Sequence, residues 1–204
     1  MKIDRLVAPY LESNTFILTN SNHVLIVDCG AYLEDVKQII AGKNVDGVLL
    51  THGHFDHSRF CNDYAKAFSC KIYASDKITQ TMSDSEALYA EDGRVFDDFS
   101  SFVFIEEDKK LKIGSFDVEC YYCPGHSLCS MCYKIGSTLF AGDVLFDRSI
   151  GRTDLKFSDK KMMYNSLCKL DQITFDNVCS GHGENSTFNE QKKNIAVYKR
   201  FLTR

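Results

Sequence analysis

No uncharged apolar run in this chain approaches membrane-spanning length, and the opening MKIDRLVAPY holds no apolar core of signal-peptide length. The expectation is a soluble, cytoplasmic protein. Excess positive charge is missing too: 24 Lys and Arg stand against 28 Asp and Glu, a formal net charge of −4. That balance argues against a broad binding footprint for nucleic acid or an anionic membrane, and it favours a small-molecule substrate as the partner. There is no internal repeat, coiled-coil heptad or low-complexity segment, and composition does not break along the 204 residues. A single domain spanning residues 1–204 is therefore expected. Histidine is scarce as well, with six in the whole chain, so where they fall is informative.

Cysteine is the exception to this economy. There are nine, an odd number, and most sit inside apolar segments, which reads as reduced, buried thiols. Cys120-x-x-Cys123 and Cys129-x-x-Cys132 mimic paired zinc-knuckle spacing. Strand alternation in FDVECYYC nevertheless puts Cys120 on one sheet face with Val118 and Tyr122 and sends Cys123 to the other. One ion could not collect all four, and small buried hydrophobes are the expected role.

Periodicity divides the chain into strands and helices. NTFILT and HVLIVD are apolar or β-branched runs joined by the turn residues NSN, a hairpin whose tip carries His23 as a solvated loop histidine. YLEDVKQII has helical spacing and is stopped at Gly42, DGVLLT is a buried strand, and SRFCNDYAKAF is an amphipathic helix. CKIYAS is followed by a short helix near DKITQTM and by the polar stretch SDSEALYAEDG, which carries no clear pattern. SFVFIE, KLKIG, FDVECYY, SMCYKIG and STLFAG read as a second sheet. The last third holds helix DKKMMYNSLCKL, strand FDNVCSG and helix FNEQKKNIAVYKRFL. The order predicts an α+β fold with two sheets sandwiched between helices.

Half of the histidines fall in one heptapeptide, THGHFDH, between a buried strand and a helix. His52, His54, Asp56 and His57 supply neutral imidazoles and a carboxylate, the donors a borderline divalent cation takes. In an extended segment His52, His54 and Asp56 would share a face while His57 points elsewhere, which suits two adjacent cations better than one. Three later strand ends repeat the theme beside glycine: PGHS with His126, AGDV with Asp143 and SGHG with His182. Five imidazoles and two carboxylates gathered without a cation would leave costly buried polar groups.

These motifs, in this order, resemble the metallo-β-lactamase-fold superfamily, and within it the short, single-domain proteins similar to glyoxalase II (hydroxyacylglutathione hydrolase). The resemblance runs from about residue 14 to 185, and PGHSLCSMCYKIGSTLFAGDVLFDRSIGRTDL carries the branch-specific part. It implies an αββα sandwich of two mixed β-sheets flanked by helices. It also implies two divalent metal ions, zinc first with iron or manganese as alternatives: His52, His54 and His126 on one, Asp56, His57 and His182 on the second, and Asp143 bridging both. Asp28, ending HVLIVD, matches an early aspartate of the family that orients a histidine, although capping the turn before Cys29-Gly30 is an equal reading.

The implied activity is hydrolysis of a small thioester or ester. Two cations about 3.5 Å apart lower the pKa of a bridging water and polarise a carbonyl, with Asp56 and Asp143 as the catalytic carboxylates. Asp143 stands where zinc β-lactamases generally use cysteine, which argues against lactams as the main substrate. Flavo-diiron relatives carry glutamate in place of His54, and nuclease relatives bring large added domains. A lactonase is a further possibility. The alternative from a different class is a mononuclear iron persulfide dioxygenase using His52 or His54 with His126 and Asp143. Classical glyoxalase II enzymes contact glutathione through a C-terminal helical region, for which this chain has one helix, so the resemblance does not extend to glutathione recognition. Arg148 and Arg152 are candidates for contacting an anionic substrate, Arg152 being as readily paired with Asp154.

Overall fold

Strands that are apolar at nearly every position need a packed layer on both faces, and the chain supplies two sheets whose central strands are built that way. The computed structural model describes residues 1–203. The first sheet is formed by β1 (Lys2–Val7), β2 (Asn14–Asn20), β3 (His23–Val27), β4 (Asn44–Leu49), β5 (Ile72–Ser75) and β6 (Phe102–Ile105), which lie side by side in that order. Its first two pairings are antiparallel and the remaining three parallel. Between β3 and β6 run α1 (Leu33–Ile40), α2 (Phe55–Ser58), α3 (Cys61–Phe68), α4 (Ile78–Ser83) and α5 (Glu86–Glu91).

The second sheet contains β7 (Lys109–Ile113), β8 (Phe116–Tyr122), β9 (Met131–Ile135), β10 (Thr138–Gly142), β13 (Asn177–Ser180) and β14 (Ser186–Thr187), arranged 14-13-10-9-8-7. Only the β10–β13 pairing is parallel. The small hairpin β11 (Leu145–Phe146) and β12 (Ser149–Ile150) leads to α6 (Lys160–Leu170), and α7 (Phe188–Leu202) closes the described chain.

Alternation sorts the apolar side chains into three layers. On β3, Val24 and Ile26 face the helices while Leu25 and Val27 face the other sheet. On β9 and β10, Met131, Tyr133 and Phe140 point between the sheets, whereas Cys132, Leu139 and Ala141 point toward α6 and α7, against Met163, Leu167 and Ile195. Helix, sheet, sheet, helix is thus the layer order, an αββα sandwich of two mixed sheets. The four suspect cysteines are divided among these layers: Cys129 in the first, Cys120 in the second, Cys123 and Cys132 in the third. All nine cysteines are free thiols.

Three local expectations are corrected. SFVFIE joins the first sheet, parallel to β5, because the intervening helices carry the chain back across that sheet. His23 is no loop residue; it begins β3, with Nδ1 2.8 Å from Asp46 Oδ1. Within SDSEALYAEDG, Glu86–Glu91 form α5, anchored by the buried Tyr89.

Candidate metal centre

Parallel strands put their C-terminal ends on one edge, and the histidine motifs all follow such ends. Asp28 follows β3 and THGHFDH follows β4 in the first sheet; His126, Asp143 and His182 follow β8, β10 and β13 in the second. The two edges meet. His54 Nδ1 lies 2.9 Å from His126 Nε2, and His57 Nε2 lies 3.1 Å from His182 Nε2. Loops from opposite sheets therefore aim ring nitrogens at common points, with nitrogen facing nitrogen.

The ligand-type atoms form overlapping groups, each within 4.8 Å: His52, His54 and His126; Asp56, His57 and His182; and His52, His57 and Asp143. Asp143 sits between the first two. Its Oδ1 is 3.4 Å from His57 Nε2, while its Oδ2 is 3.4 Å from His126 Nε2 and 3.5 Å from His182 Nε2. Asp56 Oδ2 lies 3.2 Å from His57 Nε2 and 3.1 Å from His182 Nε2. Asp56 and His57 reach this arrangement on the helical turn α2, so Asp56 leaves the face of His52 and His54 and joins His57, unlike the extended geometry expected from the sequence. A helical turn places consecutive residues about 100° apart, close enough for both to serve one point.

Behind the ligand atoms, one carboxylate sets two histidines. Asp28 holds a left-handed backbone conformation, φ 62°, which aspartate tolerates better than most residues. Its Oδ1 accepts the Thr51 amide at 2.7 Å, and its Oδ2 accepts the Thr51 hydroxyl at 2.8 Å and His57 Nδ1–H at 2.9 Å. Having donated its proton, the Thr51 oxygen accepts from His52 Nδ1–H at 3.0 Å. His126 Nδ1–H donates to the Arg152 carbonyl at 3.1 Å. Each of these rings consequently turns Nε2 toward the cluster, the tautomer a metal ligand requires. Asp28 thus contacts His57 directly and His52 through Thr51. Thr51 was missed from the sequence although it opens the heptapeptide, because its role depends on a carboxylate 23 positions away.

Electrostatics divide the cluster. Burial, then crowding by His57 and the other rings, lowers His52, and burial with His126 lowers His54 to about 4. His126 is also lowered by burial. These three are neutral donors near neutrality. Burial opposes charge on His57 and His182 too, but Asp56, Asp143 and Asp28 raise His57 well above its ordinary value, and Asp143 and Asp56 push His182 up to about 9. Burial would raise the Asp56 and Asp143 carboxyls; His57 and the neighbouring imidazoles outweigh it and hold both below the usual range.

Whether a cation fits is answered by the unpaired atoms. Buried His52 Nε2 and Asp143 Oδ1 have no hydrogen-bond partner, a costly arrangement that a divalent ion between them would relieve. Gly181 keeps the space open: a Cβ there would lie 2.1 Å from Asp143 Oδ1 and 2.8 Å from His57 Cε1. All seven sequence-derived candidates meet here. The donor set fits two cations.

A cavity of about 560 Å³ opens over the cluster, with His126, Asp143 and His182 on its floor and Phe146, Asp147 and Arg152 around it. The Arg152 side chain is turned to Asp154, at 3.0 and 3.1 Å, the loop-stabilising pair. Arg148 is not among the residues lining this cavity; it lines a neighbouring cleft with Lys193 and Asn194, and its side chain is 90% exposed. Phe146 and Asp147 carried no motif by which the sequence could have marked them.

Comparison with known proteins agrees with this geometry. Residues 9–182 match the Metallo-beta-lactamase superfamily. The chain is 30% identical over 205 residues to the probable metallo-hydrolase YqgX of Bacillus subtilis (strain 168), covering 95% of this chain and 96% of that protein. It is 27% identical over 199 residues to the hydroxyacylglutathione hydrolase GloC of Haemophilus influenzae (strain ATCC 51907 / DSM 11121 / KW20 / Rd), covering 92% of each. Its fold superposes on the crystal structure of the BLEG-1 B3 metallo-beta-lactamase with a TM-score of 0.79, at 26% identity and full coverage of both chains. With its His/Asp cluster at the paired strand edges, the chain belongs to the metallo-beta-lactamase superfamily.

Proposed function

We propose that this protein hydrolyses a small thioester or ester, in the manner of the glyoxalase II-like branch, with two divalent cations held by the seven converging residues. The observation that carries the reading is the Asp143 carboxylate, whose two oxygens face His57 on one side and His126 and His182 on the other. When bound, the cations supply a water acidified toward neutral pKa and an electrophilic contact for a carbonyl oxygen. His52, His54 and His126 would hold one, Asp56, His57 and His182 the other, and Asp143 both. Zinc suits this nitrogen and carboxylate set, as do iron and manganese.

The chain's own groups supply the rest. Asp56, held ionised by His57 and His182, accepts a hydrogen bond from the attacking water and orients it. Asp28 and Thr51 fix the imidazole tautomers, so little reorganisation accompanies the reaction. Phe146 gives the cavity an apolar wall for the acyl or thiol half of the substrate. The likeness to GloC supports a thioester substrate; the full-length likeness to BLEG-1 supports lactam hydrolysis as a second reading. We read the whole chain as one soluble, cytoplasmic domain acting on small molecules.

The test is a substrate screen on metal-assayed protein: S-lactoylglutathione, simple thioesters, lactones and a chromogenic cephalosporin, alongside oxygen uptake on glutathione persulfide. Thioester turnover exceeding the cephalosporin rate, with no oxygen uptake, is the expected result. One iron per chain with persulfide-dependent oxygen consumption would replace the hydrolase by a dioxygenase.

A further inference from the structure

Between His52 and His54 lies Gly53, and its amide has an unusual acceptor. It donates to the Cys129 sulfur at 3.2 Å, a contact made deep in the protein, where Cys129 is 1% exposed. The other side of Gly53 is equally constrained: a Cβ there would sit 3.0 Å from both Ile78 and Met82 of α4. The bend that spaces the two histidines is thus clamped between a thiol and a helix.

Cys129 belongs to the turn that presents His126. Within that turn Ser127 Oγ lies 2.8 Å from Ser130 Oγ and 3.4 Å from Cys129 Sγ, and the Ser127 amide donates to Ser130 Oγ at 3.2 Å. The hydroxyl of Thr81, on α4, is buried with no hydrogen-bond partner. The turn docks on the heptapeptide at two points, Met131 N to Thr51 O at 2.7 Å and Gly53 N to Cys129 Sγ. His52 and His54 come from one loop and His126 from the other, so the sulfur ties together the two loops that form this triad. The Asp56, His57 and His182 triad has no such tie to Cys129.

We propose that Cys129 is a positioning residue: its thiol, by accepting the Gly53 amide, locks the His52–His54 loop to the His126 turn and selectively sustains the cation held by that triad. The inference rests on the two-cation reading given above. Positioning groups of this kind are worth about 10–100-fold in metal affinity.

The experiment is a competitive Co²⁺ titration of metal-free wild type, Cys129→Ala and Cys129→Ser, followed by visible absorption, with amide hydrogen exchange at Gly53 on the same samples. Wild type should bind two equivalents. Cys129→Ala should weaken one equivalent about 10–100-fold, leave the other unchanged and speed Gly53 exchange. Cys129→Ser, which keeps an acceptor, should recover part of both. Wild type that binds no cobalt overturns the two-cation reading itself. Wild type binding two equivalents, with both retained at unchanged affinity in the folded Ala variant, overturns the role of Cys129 alone. If the Ala variant does not fold, the Ser variant decides: equal losses at both equivalents mark a general structural effect and overturn selectivity.

Discussion

At the scale of single residues, Asp143 concentrates the chemistry. Asp143→Asn keeps the shape but removes the charge that faces both triads, and the expected result is a turnover loss of roughly 100-fold or more, with fewer than two metal equivalents retained. Steady-state kinetics and metal analysis on folded variant check it; near-normal hydrolysis would refute the bridging role. Protons compete for the same atoms. In the metal-free protein His182 is raised from 6.5 to about 9 by Asp143 and Asp56, so the stabilisation from that pairing is complete below pH 6.5 and is lost as pH climbs through 9. Metal binding must expel this proton. The apparent affinity for the equivalent on the Asp56 side should therefore rise with pH across that window, while the melting temperature of chelator-treated protein falls. Calorimetric titrations in buffers of different ionisation enthalpy should register the released proton.

At the scale of elements, the sequence showed most of what matters, and its failures have physical causes. Strands buried on both faces were plain as continuous apolar runs, and all seven candidate ligands stood at strand ends beside turn residues. β1 was invisible because an edge strand is only partly buried and its KIDRLV lacks the apolar density of its neighbours. The sheet assignment of β6 failed because pairing partners are decided by crossovers, which apolar periodicity does not encode. The partition of Asp56 with His57 was hidden in the single turn α2, too short to show a period. Helix ends offer a direct test. Ala41 closes α1 in a left-handed conformation, φ 51°, where a β-carbon is penalised. Ala41→Gly should stabilise the protein by about 0.5–1 kcal/mol in urea unfolding. A loss of stability there would contradict the assigned cap.

At the scale of the whole molecule, the two sheets are stitched together at the end that holds the cluster. The Asn14 side chain, at the start of β2, donates to Ser180 O and Gly183 O, both at 2.9 Å, and its amide donates to Gly181 O at 2.7 Å. Tyr133 spans the gap elsewhere, donating to Leu50 O at 2.8 Å. Asn14→Ala strands two carbonyls around His182, and should cost about 1–3 kcal/mol while weakening metal retention more than a substitution of equal thermal cost in the α6–α7 layer. Comparing the two variants by melting and metal content separates coupling from general destabilisation. The central claim is that a cage of five histidines and two aspartates holds paired cations that make the protein a hydrolase. It is tested most directly by following thioester hydrolysis while metal is stripped and restored on one sample. Activity should fall in step with the loss of up to two equivalents per chain and return on reloading, whereas full activity in protein freed of metal would contradict the account.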